Sequence, residues 1–314
     1  MLVTAKGLIL ANGAALALAA AWLASLVVPY DRAVRVRNAF LLRRGSESDV
    51  DWTPDAVPCD FRVEHLPAPR DIAAAVEREG VRDIEGDWPR ALALVTMLVR
   101  HAKQEGHARA DLVTTYREIV AGGGSCADYV RVYLAAAHDV GLFCRQWGFS
   151  FDGFGGHGHT FVEVFDRDRS QWSFIDVHNN VVALEEGSEV PLGAIAVRAL
   201  LSARPSALRF VAAGPGRLAW AQPSKLLAYY QRGADEWYLL WGNDVVSRDG
   251  RLGRWSHRLQ SALARLPPFL ALVTARNEAA FARMLALRSR VRRAVATIAI
   301  LVVALSAQLA LPPR

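Results

Sequence analysis

Two uncharged apolar runs constrain this chain more than any other feature. Gly7 to Tyr30 reads GLILANGAALALAAAWLASLVVPY, 24 residues lying between the charges of Lys6 and Asp31. Ala294 to Leu311 reads AVATIAILVVALSAQLAL, 18 residues between Arg293 and Arg314. A helix rises about 1.5 Å per residue, so about 20 residues cross a hydrocarbon core of about 30 Å. The first run is long enough and the second is a minimal span. Trp22 and Tyr30 suit an interfacial belt. The rival reading of the first run is a cleaved secretory signal, but it is long for one and no clean A-x-A site lies just before Pro29. The rival reading of the second is a buried core helix; the preceding arginines and following Pro-Pro favour a membrane. The expectation is two anchors, 7–30 and 294–311. A polytopic transporter is excluded, because long apolar runs occur nowhere else.

The charge map follows these anchors. The chain has 37 basic and 31 acidic residues, a net charge of +6. Residues 31–44 hold five Arg against Asp31, and 251–293 hold ten Arg against Glu278. The stretch 45–250 is therefore acidic, and the basic balance describes two collars beside the anchors. A nucleic-acid partner is not called for. Such collars fit anionic headgroups, and by the positive-inside rule both lie in the cytoplasm. The expected location is a bacterial-type inner (plasma) membrane with the central domain facing the cytoplasm.

With 52% hydrophobic residues the chain can offset its ordering entropy, and three Cys cannot build a disulfide framework. Residues 45–68 read as irregular. Asp87-Trp88-Pro89 reads as a helix start with Asp87 as cap. Leu112 to Ala121 reads as a second helix, and Ser125 caps a third running to about Val140, where Gly141 stops it. Four short strands follow: Leu142 to Phe149, Thr160 to Phe165, Trp172 to Asp176 and Val181 to Leu184. Helices first and strands after indicate an α+β fold. From about 196 the chain reads as mostly helical again, up to 293.

Three pieces carry chemistry: Gly122-Gly123-Gly124-Ser125-Cys126, then Gly156-His157-Gly158-His159, then Trp172 to Asp176. A thiol attacks as thiolate, and the first turn of a helix, with its unsatisfied N–H groups and positive dipole end, favours that form. The glycines let a substrate backbone approach and let N–H groups, that of Cys126 included, point at a developing oxyanion. A His on an adjacent strand takes and returns the proton. Asp176 on the next strand orients that His. His157 and His159 share a face by strand alternation; His159 is preferred because it begins the strand proper. The candidate catalytic set is Cys126, His159 and Asp176. Gly124, Ser125 and His157 are the candidate substrate-binding residues.

Residues 87–184 resemble the transglutaminase-like superfamily of papain-like cysteine enzymes. Ser125-Cys126-Ala127-Asp128-Tyr129 is similar to that family's nucleophile motif. Gly141 to Arg145 is similar to its Gly-Ile-Pro-Ala-Arg turn, His159 to Val164 to its His-x-Trp-x-Glu-Val strand, and Trp172 to Asp176 to its Trp-x-x-x-Asp strand. Phe161 stands in place of the usual Trp, Val177-His178 in place of Pro-Thr, and Cys144 in place of the small or Pro residue before Arg145. No Gln stands just before Cys126 as a side-chain oxyanion donor. The resemblance implies a nucleophile helix packed on a small antiparallel sheet, with a catalytic domain over 45–195. It also implies thioester-forming acyl transfer or amide hydrolysis on a protein or peptide substrate, without a cofactor. The 196–293 stretch is then a mostly helical extension with a basic membrane-proximal part.

Two other functions compete. A non-catalytic scaffold or peptide-binding module would partner a membrane protein complex of an envelope or polysaccharide assembly. A zinc hydrolase would use His157, His159, Asp176 and His178 as two i, i+2 pairs on neighbouring strands. Of the remaining groups, Cys144 reads as core and Cys59 as incidental, with a Cys59–Cys144 bridge left open. Arg145 reads as structural, pairing with a carboxylate behind the site. Glu163 reads as solvent-facing or locally paired.

Overall fold

The computed structural model describes residues 5–102, 111–216, 218–219, 222–252 and 266–310. Part of the basic stretch 251–293, the last residue of the 294–311 run, and Arg314 lie outside the described residues. Helix α1 (Ala5–Val27) is rich in Ala and Leu, which favour helix, and ends where Pro29 follows. Pro29, with φ −64°, then opens α2 (Tyr30–Leu41), and the chain passes directly into β1 (Leu42–Gly45). Four helices follow: α3 (Arg70–Arg78), α4 (Asp87–Val99), α5 (Leu112–Val120) and α6 (Cys126–Asp139). The Asp111 side chain caps α5 by accepting from the Thr114 N–H. At α4 the cap position belongs to Gly86, not Asp87. Asp87 lies in the first turn, where its carboxylate accepts from Arg167.

The four expected strands form as β2 (Cys144–Ser150), β3 (Gly158–Asp166), β4 (Gln171–Asp176) and β5 (Val181–Glu185). Beyond them come α7 (Ala194–Ala203), β6 (Leu208–Ala212), α8 (Pro223–Gly233), β7 (Trp237–Leu240), α9 (Val245–Leu252), β8 (Phe269–Leu272) and α10 (Glu278–Ala310). The fold is α+β, but the sheet is neither small nor wholly antiparallel. Among the described residues it has eight strands in the order β1-β8-β7-β2-β3-β4-β5-β6, and β1 lies parallel to β8. The stretch read as a helical extension thus supplies three of those strands. Trp237–Leu240 and Phe269–Leu272 are short apolar runs, and such runs do not announce strand by periodicity.

Both faces of the central sheet are covered. Strand alternation sends Val162, Val164 and Ile175 into one core with α3 to α6. It sends Trp147, Phe161 and Phe174 into a second core with α7 and α8. A third, smaller core joins Ala39 and Leu42 to Phe154, Phe269, Phe281 and Met284, docking α2 and the start of α10 on the sheet.

Helix α1 packs against α10. Their apolar stretches are not core: Leu18 is 73% and Ile300 69% exposed. Both helices are long and apolar enough to cross a membrane. The 294–310 part of the second apolar run is the latter part of the 33-residue α10, whose first turns belong to the domain.

Double coverage also explains Glu163, which is buried rather than solvent-facing. The Arg145 Nε donates to its carboxylate at 2.7 Å, and the same guanidinium donates to the Val50 carbonyl. The guanidinium carbon lies 3.9 Å from the Trp172 ring centroid. Glu163 also accepts from the Trp147 indole and the Ala194 N–H that opens α7. This pair therefore ties β2, β3 and α7 together. Arg145→Ala leaves a buried, uncompensated carboxylate, a change that costs about 3–5 kcal/mol. We expect a large drop in the thermal midpoint of the detergent-solubilised chain, and a smaller one when Glu163→Gln accompanies Arg145→Met. Equal drops in both variants would contradict the ion-pair account.

Candidate active site

Cys126 is the first residue of α6. The turn before it is made by glycines: Gly124 has φ +135°, and a Cβ there would lie 3.0 Å from the Tyr129 ring. The Ser125 N–H and hydroxyl both donate to the Asp128 carboxylate, at 2.9 and 2.8 Å, and so hold the helix start. The Cys126 N–H lies in the first turn, where the helix supplies no acceptor. The side chain of Cys126 is partly exposed.

His159 is the second residue of β3 and pairs with Phe149 across to β2. The preceding Gly158 sits so close to that strand that a Cβ would come within 1.8 Å of the Phe149 carbonyl oxygen. His159 is buried, and its ring lies among Phe149, Tyr229 and Tyr230. Its Nε2 is 2.7 Å from Asp176 Oδ2, at the end of β4. The Asn179 amide nitrogen lies 3.4 Å from the same Nε2, and the Cys126 sulfur is near enough to add to the electrostatics of the ring. With Nε2 held by the carboxylate, Nδ1 is the nitrogen left to exchange a proton with sulfur. The structure thus brings Cys126, His159 and Asp176 together.

Asp176 is fully buried. Besides His159 it accepts from the Tyr230 hydroxyl at 2.5 Å, the Asn179 amide group at 2.5 Å and the Asn179 N–H at 3.1 Å. Sequence reasoning missed both partners. Asn179 had a signal, since an Asp three residues before an Asn in a turn reads as an Asx turn. Tyr230 had none, as it arrives from α8, 54 residues downstream.

The electrostatics follow from this packing. Burial alone lowers the pKa of His159, but the Asp176 charge, then the Cys126 sulfur and the hydrogen bonds to both, raise it to about 10. Burial raises that of Asp176, yet the His159 charge and the bonds from His159 and Tyr230 leave it lowered. Burial, then the neighbouring Asp176 charge, pushes the Tyr230 phenol well up, so it remains a donor. The raised His159 contributes stability that is complete below the unfolded imidazole value and is lost as pH rises through about 10. The lowered Asp176 contributes stability present above the unfolded carboxylate value and lost as pH falls.

The other candidates separate from this cluster. Ser125 and Gly124 shape the turn, with the Ser125 hydroxyl committed to Asp128. His157 is exposed; its Nδ1 lies 3.1 Å from Asp152 and its Nε2 3.8 Å from Asp31 of α2. Among the described residues no contact joins it to Cys126, His159 or Asp176. The zinc arrangement is not formed, because no group of three or more His, Cys, Asp or Glu among the described residues could hold a metal. His178 instead stacks edge-on to Tyr129, with centroids 5.5 Å apart. All three cysteines are free, Cys59 exposed and Cys144 buried, so no Cys59–Cys144 bridge forms. Burial pushes the Cys144 thiol pKa up, which keeps it inert.

Compared with known proteins, the chain matches no family model, no curated protein and no solved structure.

The cluster makes a titration prediction. In the native chain the His159 imidazole resonance should remain that of the cation through neutrality and titrate near pH 10. Asp176→Asn removes the opposing charge while burial remains, so the titration should move down by about two pH units or more. Selective labelling of His159 and NMR in detergent reads this directly. An unmoved titration would show that Asp176 does not hold the proton.

Proposed function

We propose that the chain is a membrane-anchored, transglutaminase-like cysteine enzyme acting on amide or peptide carbonyls of a protein or peptide substrate. The observation that carries this reading is the convergence of Cys126 at a helix start, His159, and a buried Asp176 carboxylate 2.7 Å from the His159 Nε2. No cofactor enters the reaction proposed.

The Cys126 thiolate, its proton held on His159, attacks the carbonyl carbon, and negative charge gathers on the carbonyl oxygen. The Cys126 N–H is the available backbone donor for that oxygen. The proton on His159 passes to the leaving nitrogen as the C–N bond breaks, and a thioester remains. Water or an amine then attacks the thioester carbon. His159 takes the proton from that nucleophile, the C–S bond breaks, and acid or new amide leaves. Asp176 holds the ring throughout and offsets its positive charge. The partners of this reading are the substrate and the membrane.

A low dose of a thiol alkylator at mildly acidic pH should label Cys126 well ahead of Cys59, although Cys59 is exposed and Cys126 only partly so. His159→Ala should abolish that preference. With a glutamine-bearing peptide, the native chain should release ammonia and Cys126→Ala should not. Equal labelling of the two thiols, with no release of ammonia or peptide product, would refute the enzymatic reading.

We also propose that α1 and α10 span a bacterial-type inner membrane with the domain on the cytoplasmic side. The arginine collars next to both apolar runs support this orientation. Cys59 is an exposed, free thiol and serves as the reporter. A membrane-impermeant maleimide should label it only after intact cells are permeabilised. Labelling in intact cells would reverse the orientation.

A further inference from the structure

Between the end of α1, the start of α2 and the middle of α10 lies a cavity of about 320 Å³. This is within the ordinary size range of small-ligand sites, roughly 300–1,000 Å³. Arg32, Arg35, Arg283 and Arg290 line it, with Leu26 and Leu287 as apolar wall. Among the described residues, Asp152 is the only acid on its lining. That carboxylate is already engaged, by Arg35 at 3.2 Å and His157 at 3.1 Å. Arg32 donates to the Ser25 carbonyl. Among the described residues, no carboxylate pairs with Arg283 or Arg290. These two are seven residues apart on one helix and so share a face. Four guanidinium groups converging on one partly enclosed space, with one carboxylate among them, repel one another unless an anion joins them.

The depth of the cavity identifies the anion. Leu26 is next to last in the apolar helix α1, and Arg290 comes four residues before the second apolar run begins. The cavity therefore lies where both apolar runs meet the charged collars, at the level of the headgroup layer. Its apolar wall continues into the hydrocarbon-facing helix surface, as a tethered acyl chain requires and a free anion does not. We infer that this cavity binds the phosphate headgroup of an anionic phospholipid, held chiefly by Arg283 and Arg290.

The inference rests on the membrane reading but not on the thiol chemistry. The full chain is placed in phosphatidylcholine nanodiscs with and without phosphatidylglycerol, released into the mass spectrometer, and its retained lipids are counted. The native chain should keep one phosphatidylglycerol in preference to phosphatidylcholine. Arg283→Gln with Arg290→Gln should weaken that retention about thirtyfold, on the basis of about 1 kcal/mol per Arg at an anionic surface. Arg283→Lys with Arg290→Lys should keep most of it. Arg70→Gln with Arg78→Gln, an equal charge change at two exposed positions of α3, should leave it unchanged. Undiminished retention in the Gln pair, equal loss in the α3 pair, or a Lys pair no better than the Gln pair would each overturn the site. So would displacement of the lipid by millimolar inorganic phosphate, which would mark a free-phosphate site. A chain that fails to enter phosphatidylcholine discs refutes the membrane reading itself; one that enters without lipid preference refutes only this pocket.

Discussion

The buried carboxylate of Asp176 is the interaction on which the centre of this protein depends. A lone carboxylate in a protein interior is costly enough that it normally takes a proton instead. Here an imidazole, a phenol, a side-chain amide and a backbone N–H all converge on it. Each donor comes from a position that must be built first. The imidazole needs β3 paired with β2, the amide needs the turn after β4, and the phenol needs α8 packed over the sheet. The charge can stay buried only if the three pieces of chain arrive in register. The same constraint sets the chemistry, because a charged Asp176 is what keeps the His159 proton in place. A site of this kind cannot be loosened at one donor without changing the proton inventory of the others.

A second constraint ties this centre to the helices that precede and follow the domain. The loop from Asp152 to His157 leads straight into the strand that carries His159. It is gripped from outside: Arg35 donates to Asp152, the Asn38 amide to the Phe154 carbonyl, and Phe154 packs against Phe281. Residues of α2 and α10 therefore hold one flank of the site. A tether that merely retained the domain at a surface would have no need of this third core. The packing makes α2 and the first turns of α10 part of the architecture that holds this loop.

Much of the site was legible in the sequence because its parts are local. A glycine run before Ser125-Cys126 is a helix start whatever surrounds it, and short β-rich segments bounded by Gly and charged turns declare strands. The spacing of His159 and Asp176 on adjacent strands follows from those elements. Arg145 was legible as structural for the same reason, with Glu163 on the paired strand to receive it. What was not legible depends on distant chain. Tyr230 reaches Asp176 only because α8 crosses the sheet. Glu163 reads as solvent-facing or locally paired; the local pairing forms, with Arg145, and the burial arises because α7 covers a face that strand alternation alone leaves open. His157 reads as a neighbour of the thiol by its spacing from His159, yet the loop turns its ring to Asp152 and Asp31. That choice is made by α2, which no local pattern near His157 can report.

The strands beyond 195 change what counts as the unit of folding. In the sheet order, β7 lies beside β2 and β6 beside β5. A chain ending at 195 would leave β2 and β5 as two open edges, each with a row of unpaired backbone groups. It would also strip Trp237 from the aromatic core where it packs against Phe161 and Phe149, with ring centroids 5.0 and 5.9 Å away. Trp237, on β7 beyond β2, fills the core against Phe161 of β3. The helix-then-strand half and the mixed half are therefore one cooperative body. The buried carboxylate at its centre is completed only when α8 and β7 have been added to the strands that precede them.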